Sequence, residues 1–265
     1  MSRGMNWLHA LAGTDERAGH PASVRVIDGE VGSRAARFIA VVPDPRNPFP
    51  RARNGEVGLL EGWGLAKAVD DAIQADAGRA DKRVLVAVVD VPSQAYGRRE
   101  EALGIHQALA GAVDAYARAR LAGHPVIGLL VGKAMSGAFL AHGYQAQRLI
   151  ALDDAGVMVH AMGKAAAARI TLRSVDELEA LAATIPPMAY DLGNYASLGL
   201  LWERLAVDNV EQPGAADLER VRDCLVRAVA DIGTGTDLRG RLGAENRAAS
   251  SRVREMLRAQ WQGRS

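Results

Sequence analysis

Ser136, Gly137 and Ala138 follow the apolar run 126–131 and lead into Phe139, Leu140 and Ala141. A short buried strand that feeds a glycine-containing turn and then a helix leaves the first-turn N–H groups without acceptors. The helix dipole favours negative charge at that end, so Gly137 and Ala138 are candidate donors to a carboxylate, a phosphate or a developing enolate oxygen. Met135 and His160 flank this turn as candidate contacts for whatever it holds; His160 closes the short apolar run 156–160. Ser136 and His160 could also be a nucleophile and its base. The competing account makes Ser136 a helix cap and His160 a packed residue bonded to a backbone carbonyl. No third residue to orient the histidine is evident, and the capping account is the stronger.

A second turn has the same potential. Asp90 and Pro92 stop the run 84–89, and Gln94, Ala95, Tyr96 and Gly97 can turn back with N–H groups exposed. In a parallel sheet successive strand ends lie side by side at the carboxyl edge, where ligands bind. Gln94, Ala95 and Gly97 could therefore join Gly137 and Ala138 in holding one oxyanion from two sides. A third feature is the loop 43–55, with four prolines, Arg46, Arg51 and Arg53, and no glutamate. A guanidinium fork suits a carboxylate or phosphate, whereas the bland account leaves these arginines solvated.

Other motifs fall away. Gly128, Gly132 and Lys133 resemble a P-loop, but three residues rather than four separate the glycines and Ala134 replaces the Ser/Thr. The six histidines lack the spacing of a zinc site, so no metal is expected. The single cysteine, Cys224, lies in a helical apolar pattern and reads as core.

The elements that must position these groups follow from periodicity and composition. The chain has 265 residues, 49% hydrophobic and 24% charged, with net charge +1, which argues against nucleic acid or an anionic membrane as main partner. No run approaches the ~18 apolar residues of a membrane span, no signal peptide is read, and a reducing cytoplasm is the expected compartment. Strands are expected at 24–28, 36–42, 84–89, 126–131, 148–152 and 156–160. Helices are expected at 58–73, 102–121, 175–183, 215–230 and 245–261. This alternation implies crossovers and a mainly parallel sheet. The division expected is one domain over 1–235 and a basic helical tail over 236–265. From Arg239 onward the chain carries seven arginines against two glutamates, with Val253, Met256, Leu257 and Trp261 on one helical face. That helix is expected to be solvated over the domain's own surface, with subunit packing left open.

The set Asp90, Pro92, Gly97, Gly104-Ile105, Lys133-Ala134-Met135-Ser136-Gly137-Ala138-Phe139 and Ala161-Met162-Gly163 resembles the carboxyltransferase subunits of acyl-CoA carboxylases. Those belong to the crotonase superfamily, in which paired backbone N–H groups stabilise thioester enolates or the biotin carbonyl. Two departures stand out: Ser136-Gly137 replaces the usual glycine pair, and Ser93 replaces a glycine after Pro92. A closer resemblance, through Met5-Asn6-Trp7-Leu8, the loop from Val42 to Arg51, residues 59–64, 90–97 and 132–143, is to the gamma subunits of biotin-independent malonate decarboxylases. It spans nearly all the chain to about residue 215. Clp-type serine proteases are similar only over 132–138 and 157–160.

The resemblance implies a crotonase-like α/β fold of repeated ββα units, with a twisted, mainly parallel sheet and outer helices. It also implies a homologous beta subunit completing the active site, and a malonyl thioester carried on the phosphopantetheine-type, dephospho-CoA-derived arm of an acyl-carrier subunit. Neither biotin nor a directly bound cofactor is implied. The products would be an acetyl thioester and carbon dioxide, with the thioester on the beta subunit and the departing carboxylate here. A Ser136/His160 hydrolase and a non-catalytic scaffold for the beta subunit are the alternatives.

Overall fold

The computed structural model describes residues 1–242 and 244–263. A helix, α1 (Arg3–Ala12), precedes an antiparallel hairpin of β1 (Val24–Val31) and β2 (Arg34–Val41). Helix α2 (Leu59–Ala75) leads to β3 (Val84–Val91), and a one-turn helix, α3 (Arg98–Ala102), leads to the long α4 (Ile105–Leu121). Next come β4 (Val126–Met135), the short α5 (Ser136–Ala141), β5 (Arg148–Leu152) and the two-residue β6 (Val159–His160). Helices α6 (Lys164–Ile170), α7 (Val175–Ala182) and α8 (Leu192–Ser197) lead to β7 (Glu203–Leu205), α9 (Ala215–Ile232) and α10 (Ala248–Gln262).

The sheet runs β1-β2-β3-β4-β5-β7, parallel from β2 onward, and β6 pairs with the far end of β4. Six of the eight residues of β3 are consecutively buried, as are the first seven of β4. These uninterrupted Val/Leu/Ile runs are what a parallel strand covered on both faces requires. In the first ββα unit both strands are long. In later units the second strand shrinks to the end of β4 with β6 and to the single bridge Val57–Gln94.

Helix α1 was not foreseen. Ser2 caps it, and Trp7, Leu8 and Leu11 are buried under the sheet, with the indole N–H donating to the Val210 carbonyl at 2.7 Å. Cys224 is wholly buried in α9, and desolvation raises its thiol to about 12, so it is inert core. Helix α10 differs from expectation. It has no buried residue, and Val253, Met256, Leu257 and Trp261 are all exposed, so its apolar face does not lie on the domain's own surface. Gly243, Arg264 and Ser265 of the expected tail lie outside the described residues.

Candidate active site

The turn after β4 is built by a wedge. Asp90, near the end of β3, accepts N–H groups from Gly4 of α1 and Lys133 of β4, both at 3.2 Å. Pairing between the two strands slips there, from Val89–Leu130 to Val91–Ala134. Gly132 admits the wedge, since a Cβ would sit 2.1 Å from Asp90 Oδ1. The carboxylate thus sets how β4 reaches Ser136, a role for the aspartate of the Asp90-x-Pro92 motif that its strand-stopping position did not suggest.

Ser136 has φ +58°, in the left-handed region that glycine favours and other residues enter at a cost. A glycine pair here, the pattern the resemblance leads one to expect, would adopt this conformation without that cost. The expected cap is corrected: Met135 is the N-cap residue, without a side-chain bond, and the Ser136 hydroxyl has no hydrogen-bond partner among the described residues. With only six residues, α5 supplies little dipole, so the site rests on individual N–H groups. Among the described residues Ala138 N–H has no acceptor outside its own helix, and Gly137 N–H donates to Gln94 Oε1 at 2.6 Å.

The far end of α5 is pinned by a buried histidine. Desolvation lowers His142 to about 4 and keeps it neutral. Its Nε2 lies 3.1 Å from the Val88 carbonyl, to which it donates, and Nδ1 accepts the Tyr116 hydroxyl at 3.2 Å. One imidazole therefore ties α5 to both β3 and α4.

The second turn is placed beside the first but differently used. Ala95 N–H donates to the Val57 carbonyl at 2.8 Å and Tyr96 N–H to the Gln94 carbonyl at 2.9 Å. The Ala95 N–H is thus paired to a backbone carbonyl in this structure. Gly97 N–H has no partner among the described residues. Gln94 reaches the other turn through its side chain rather than its backbone.

The proline loop is held against this second turn. Buried Glu61 accepts from Ser23, from Asn47 Nδ2 at 2.7 Å and from Gly58 N–H at 2.9 Å, which anchors the loop from below. Arg51 crosses Gly97, where a Cβ would lie 2.8 Å from Arg51 Cδ and Nε. Arg53 spends Nε on the Asn47 carbonyl, and the exposed Arg46 has no side-chain partner among the described residues. Of the three arginines, the fold brings only Arg51 against the turn.

A cavity of about 540 Å³ opens beside α5, lined by Ser136, Gly137, His160, Tyr190 and Tyr195 among mostly apolar side chains. His160 pairs in register with Met135, so it stands at the mouth of the turn, as the spacing suggested. Its ring stacks on Tyr190 at 3.8 Å, and Nδ1 sits 3.0 Å from the Met162 carbonyl. Burial pushes its pKa down, and no carboxylate faces it to stabilise an imidazolium. No Ser136–His160 hydrogen bond forms, which weighs against a hydrolytic pair. Among the described residues no cluster of three or more His, Cys, Asp or Glu could hold a metal.

The chain is similar to known proteins. The family model described as malonate decarboxylase gamma subunit matches residues 52–261. This chain belongs to that family. A solved chain of a Pseudomonas malonate decarboxylase hetero-tetramer in complex with coenzyme A is 74% identical, with TM-score 0.96, over 98% of this chain and 100% of that one. The malonyl-S-ACP:biotin-protein carboxyltransferase MADD of Malonomonas rubra is 33% identical over 69% of this chain, and the match spans 61% of that relative's length. Transcarboxylase 12S, at 18% identity and TM-score 0.63 over 87% of this chain and 40% of that one, shares the fold, which is the crotonase-like one.

Proposed function

We propose that this chain is the gamma subunit of a malonyl-thioester decarboxylase, active in complex with a homologous beta subunit. The observation that carries the proposal is the pair of N–H groups at Gly137 and Ala138, beside a largely apolar cavity without a charged base. Loss of carbon dioxide from a malonyl thioester leaves its electron pair as an enolate, which a proton then converts to the acetyl thioester. The catalyst must orient the leaving carboxylate and stabilise negative oxygen, which directed N–H groups in a water-poor pocket do well. Gly137 and Ala138 hold the departing carboxylate, Gly97 offers a further donor, and Met135 and His160 shape the pocket mouth. Arg51, across Gly97, is the loop arginine best placed for a carboxylate or phosphate. Arg46 and Arg53 stay peripheral.

The substrate reaches the site on a phosphopantetheine-type arm of an acyl-carrier subunit, without biotin, in the cytoplasm. The Pseudomonas chain's place in a hetero-tetramer with coenzyme A supports both the assembly and the thioester. No helix among the described residues is long and apolar enough to cross a membrane. Residues 1–235 form the catalytic unit and 236–265 an appended tail.

Co-expression with beta-like and carrier subunits, followed by co-purification and a carbon dioxide assay, tests the proposal. The complex should decarboxylate malonyl thioester and the single chain should not, with an interface burying more than ~2,000 Å². Robust turnover by the isolated chain, or fluorophosphonate labelling at Ser136, would overturn it.

A further inference from the structure

Gly137 N–H already has an acceptor within the chain. Gln94 Oε1 sits 2.6 Å from that nitrogen, where an anionic ligand oxygen would have to sit. The contact is tight enough that a Cβ at residue 137 would meet the same oxygen at 2.4 Å. The carboxamide also has somewhere to go. On its other side Gln94 lines a separate hollow of about 420 Å³, with Tyr96, Ile105, His106 and Leu109. Gly137 faces the 540 Å³ cavity and Gln94 faces the 420 Å³ hollow, so the hydrogen bond between them is the partition.

We propose that the Gln94 side chain is a gate that occupies the Gly137 donor as an internal ligand and swings into the adjacent hollow when a carboxylate binds. This rests on the reading of Gly137 as a ligand donor. A neutral amide oxygen satisfies the N–H and keeps water off it. It yields to a carboxylate, whose charge-assisted hydrogen bond is roughly twice as strong. An internal competitor weakens every ligand of that donor by one common factor, the reciprocal of the open fraction. The gate therefore favours malonyl thioester, whose carboxylate displaces the amide, over acetyl thioester, which has no carboxylate to do so, and its return once the carboxylate has left as carbon dioxide helps product to leave.

That common factor is the signature to measure. In the assembled complex, Gln94→Ala and the near-isosteric Gln94→Met should lower KM for malonyl thioester and the Kd of free malonate by the same factor, and leave the inhibition constant of acetyl thioester unchanged. One neutral hydrogen bond corresponds to about two- to tenfold. Gln94→Glu, which sets a carboxylate on the N–H, should raise KM by roughly tenfold or more at neutral pH. That increase should relax as the pH approaches the ordinary glutamate range and the acceptor is protonated. Unchanged constants in all three variants would overturn the gate, as would a tenfold fall in kcat with KM constant, which would make Gln94 a donor to substrate. Gly137→Pro separates this failure from failure of the underlying reading. A fully active Gly137→Pro complex removes Gly137 from the site altogether. An inactive one beside unshifted Gln94 variants removes only the gate.

Discussion

Two turns stand side by side at the carboxyl edge of β3 and β4, and the chain has put them to different uses. Both follow an apolar strand and both contain small residues and a glycine. In the turn after β3 the Ala95 and Tyr96 N–H groups are consumed by Val57 and Gln94 carbonyls. In the turn after β4, among the described residues, Ala138 N–H has no outside acceptor and Gly137 N–H is met only by a side chain. A backbone carbonyl fixed in a bridge cannot leave, whereas a side-chain amide can rotate away. On the proposed reading, the Ala95 and Tyr96 N–H groups of the first turn serve the scaffold, while the Gly137 and Ala138 N–H groups of the second serve the site, with Gly97 as the one donor the first turn leaves open.

Deleting the donor at the second turn should have the largest effect. Gly137→Pro removes the N–H, and loss of one such donor costs on the order of 10²–10³ in kcat. Steady-state kinetics on the co-purified complex checks it, with co-purification itself reporting the fold. Activity within tenfold of the parent would erase the distinction between the turns.

The Asp90 wedge tests whether the second turn depends on the end of the first strand. Asp90→Ala leaves the Gly4 and Lys133 N–H groups unpaired, and each such loss costs about 1–3 kcal/mol where water cannot replace the acceptor. A denaturant midpoint should fall accordingly, and kcat should fall more than the midpoint explains, because β4 no longer delivers Ser136 and Gly137 to one place. Lowered stability with unaltered kcat would make the wedge purely structural.

A smaller, pH-dependent effect separates the ends of α5. His142 is held neutral near 4, against about 6.5 in the unfolded chain, so between those values only the unfolded state takes up its proton. Its contribution is complete above about pH 6.5 and is lost as pH falls toward 4, by at most ~1.4 kcal/mol per pH unit. His20, His124 and His160 are also lowered by burial and act in the same direction. Melting temperatures from pH 7.5 to 4.5 should show His142→Gln less stable than the parent at pH 7.5 but flatter with acid. Parallel curves would mean that His142 does not drive the acid loss.

What the sequence disclosed follows from the same physics. Strands β3 and β4 are legible because burial on both faces demands unbroken apolar runs. The two turns are legible because a proline or a glycine stops each run. Allocation of N–H groups is not legible. Ala95 is claimed by Val57 across the chain, and Gly137 by Gln94, 43 residues away. Helix α1 is hidden because its apolar stripe, Trp7, Leu8 and Leu11, is interrupted by polar residues and becomes amphipathic only on a helix. In α10 the periodicity shows an apolar face correctly but cannot say that the face stays uncovered. Arg46, Arg51 and Arg53 look equivalent in sequence, and only the fold lays Arg51 across Gly97.

The smallest expected effect on activity concerns Ser136, and it sharpens the comparison because it separates strain from chemistry. A non-glycine residue at φ +58° carries roughly 1–3 kcal/mol of backbone strain. Glycine relieves that strain but gives back about 0.5–1 kcal/mol through the freer unfolded chain. Ser136→Gly should therefore range from neutral to stabilising by up to ~2.5 kcal/mol, a rise of about 10 °C at most in melting temperature for a chain of this size. Ser136→Ala keeps the strain and removes only a hydroxyl without a partner among the described residues, so its stability should match the parent within about 0.5 kcal/mol. Both variants leave the Gly137 and Ala138 N–H groups in place, so both complexes should decarboxylate within about tenfold of the parent, a loss no larger than one neutral hydrogen bond allows. Inactivity of both, with melting temperatures preserved, would show the hydroxyl to be essential. The second turn would then be a nucleophile's seat rather than a cradle for oxygen.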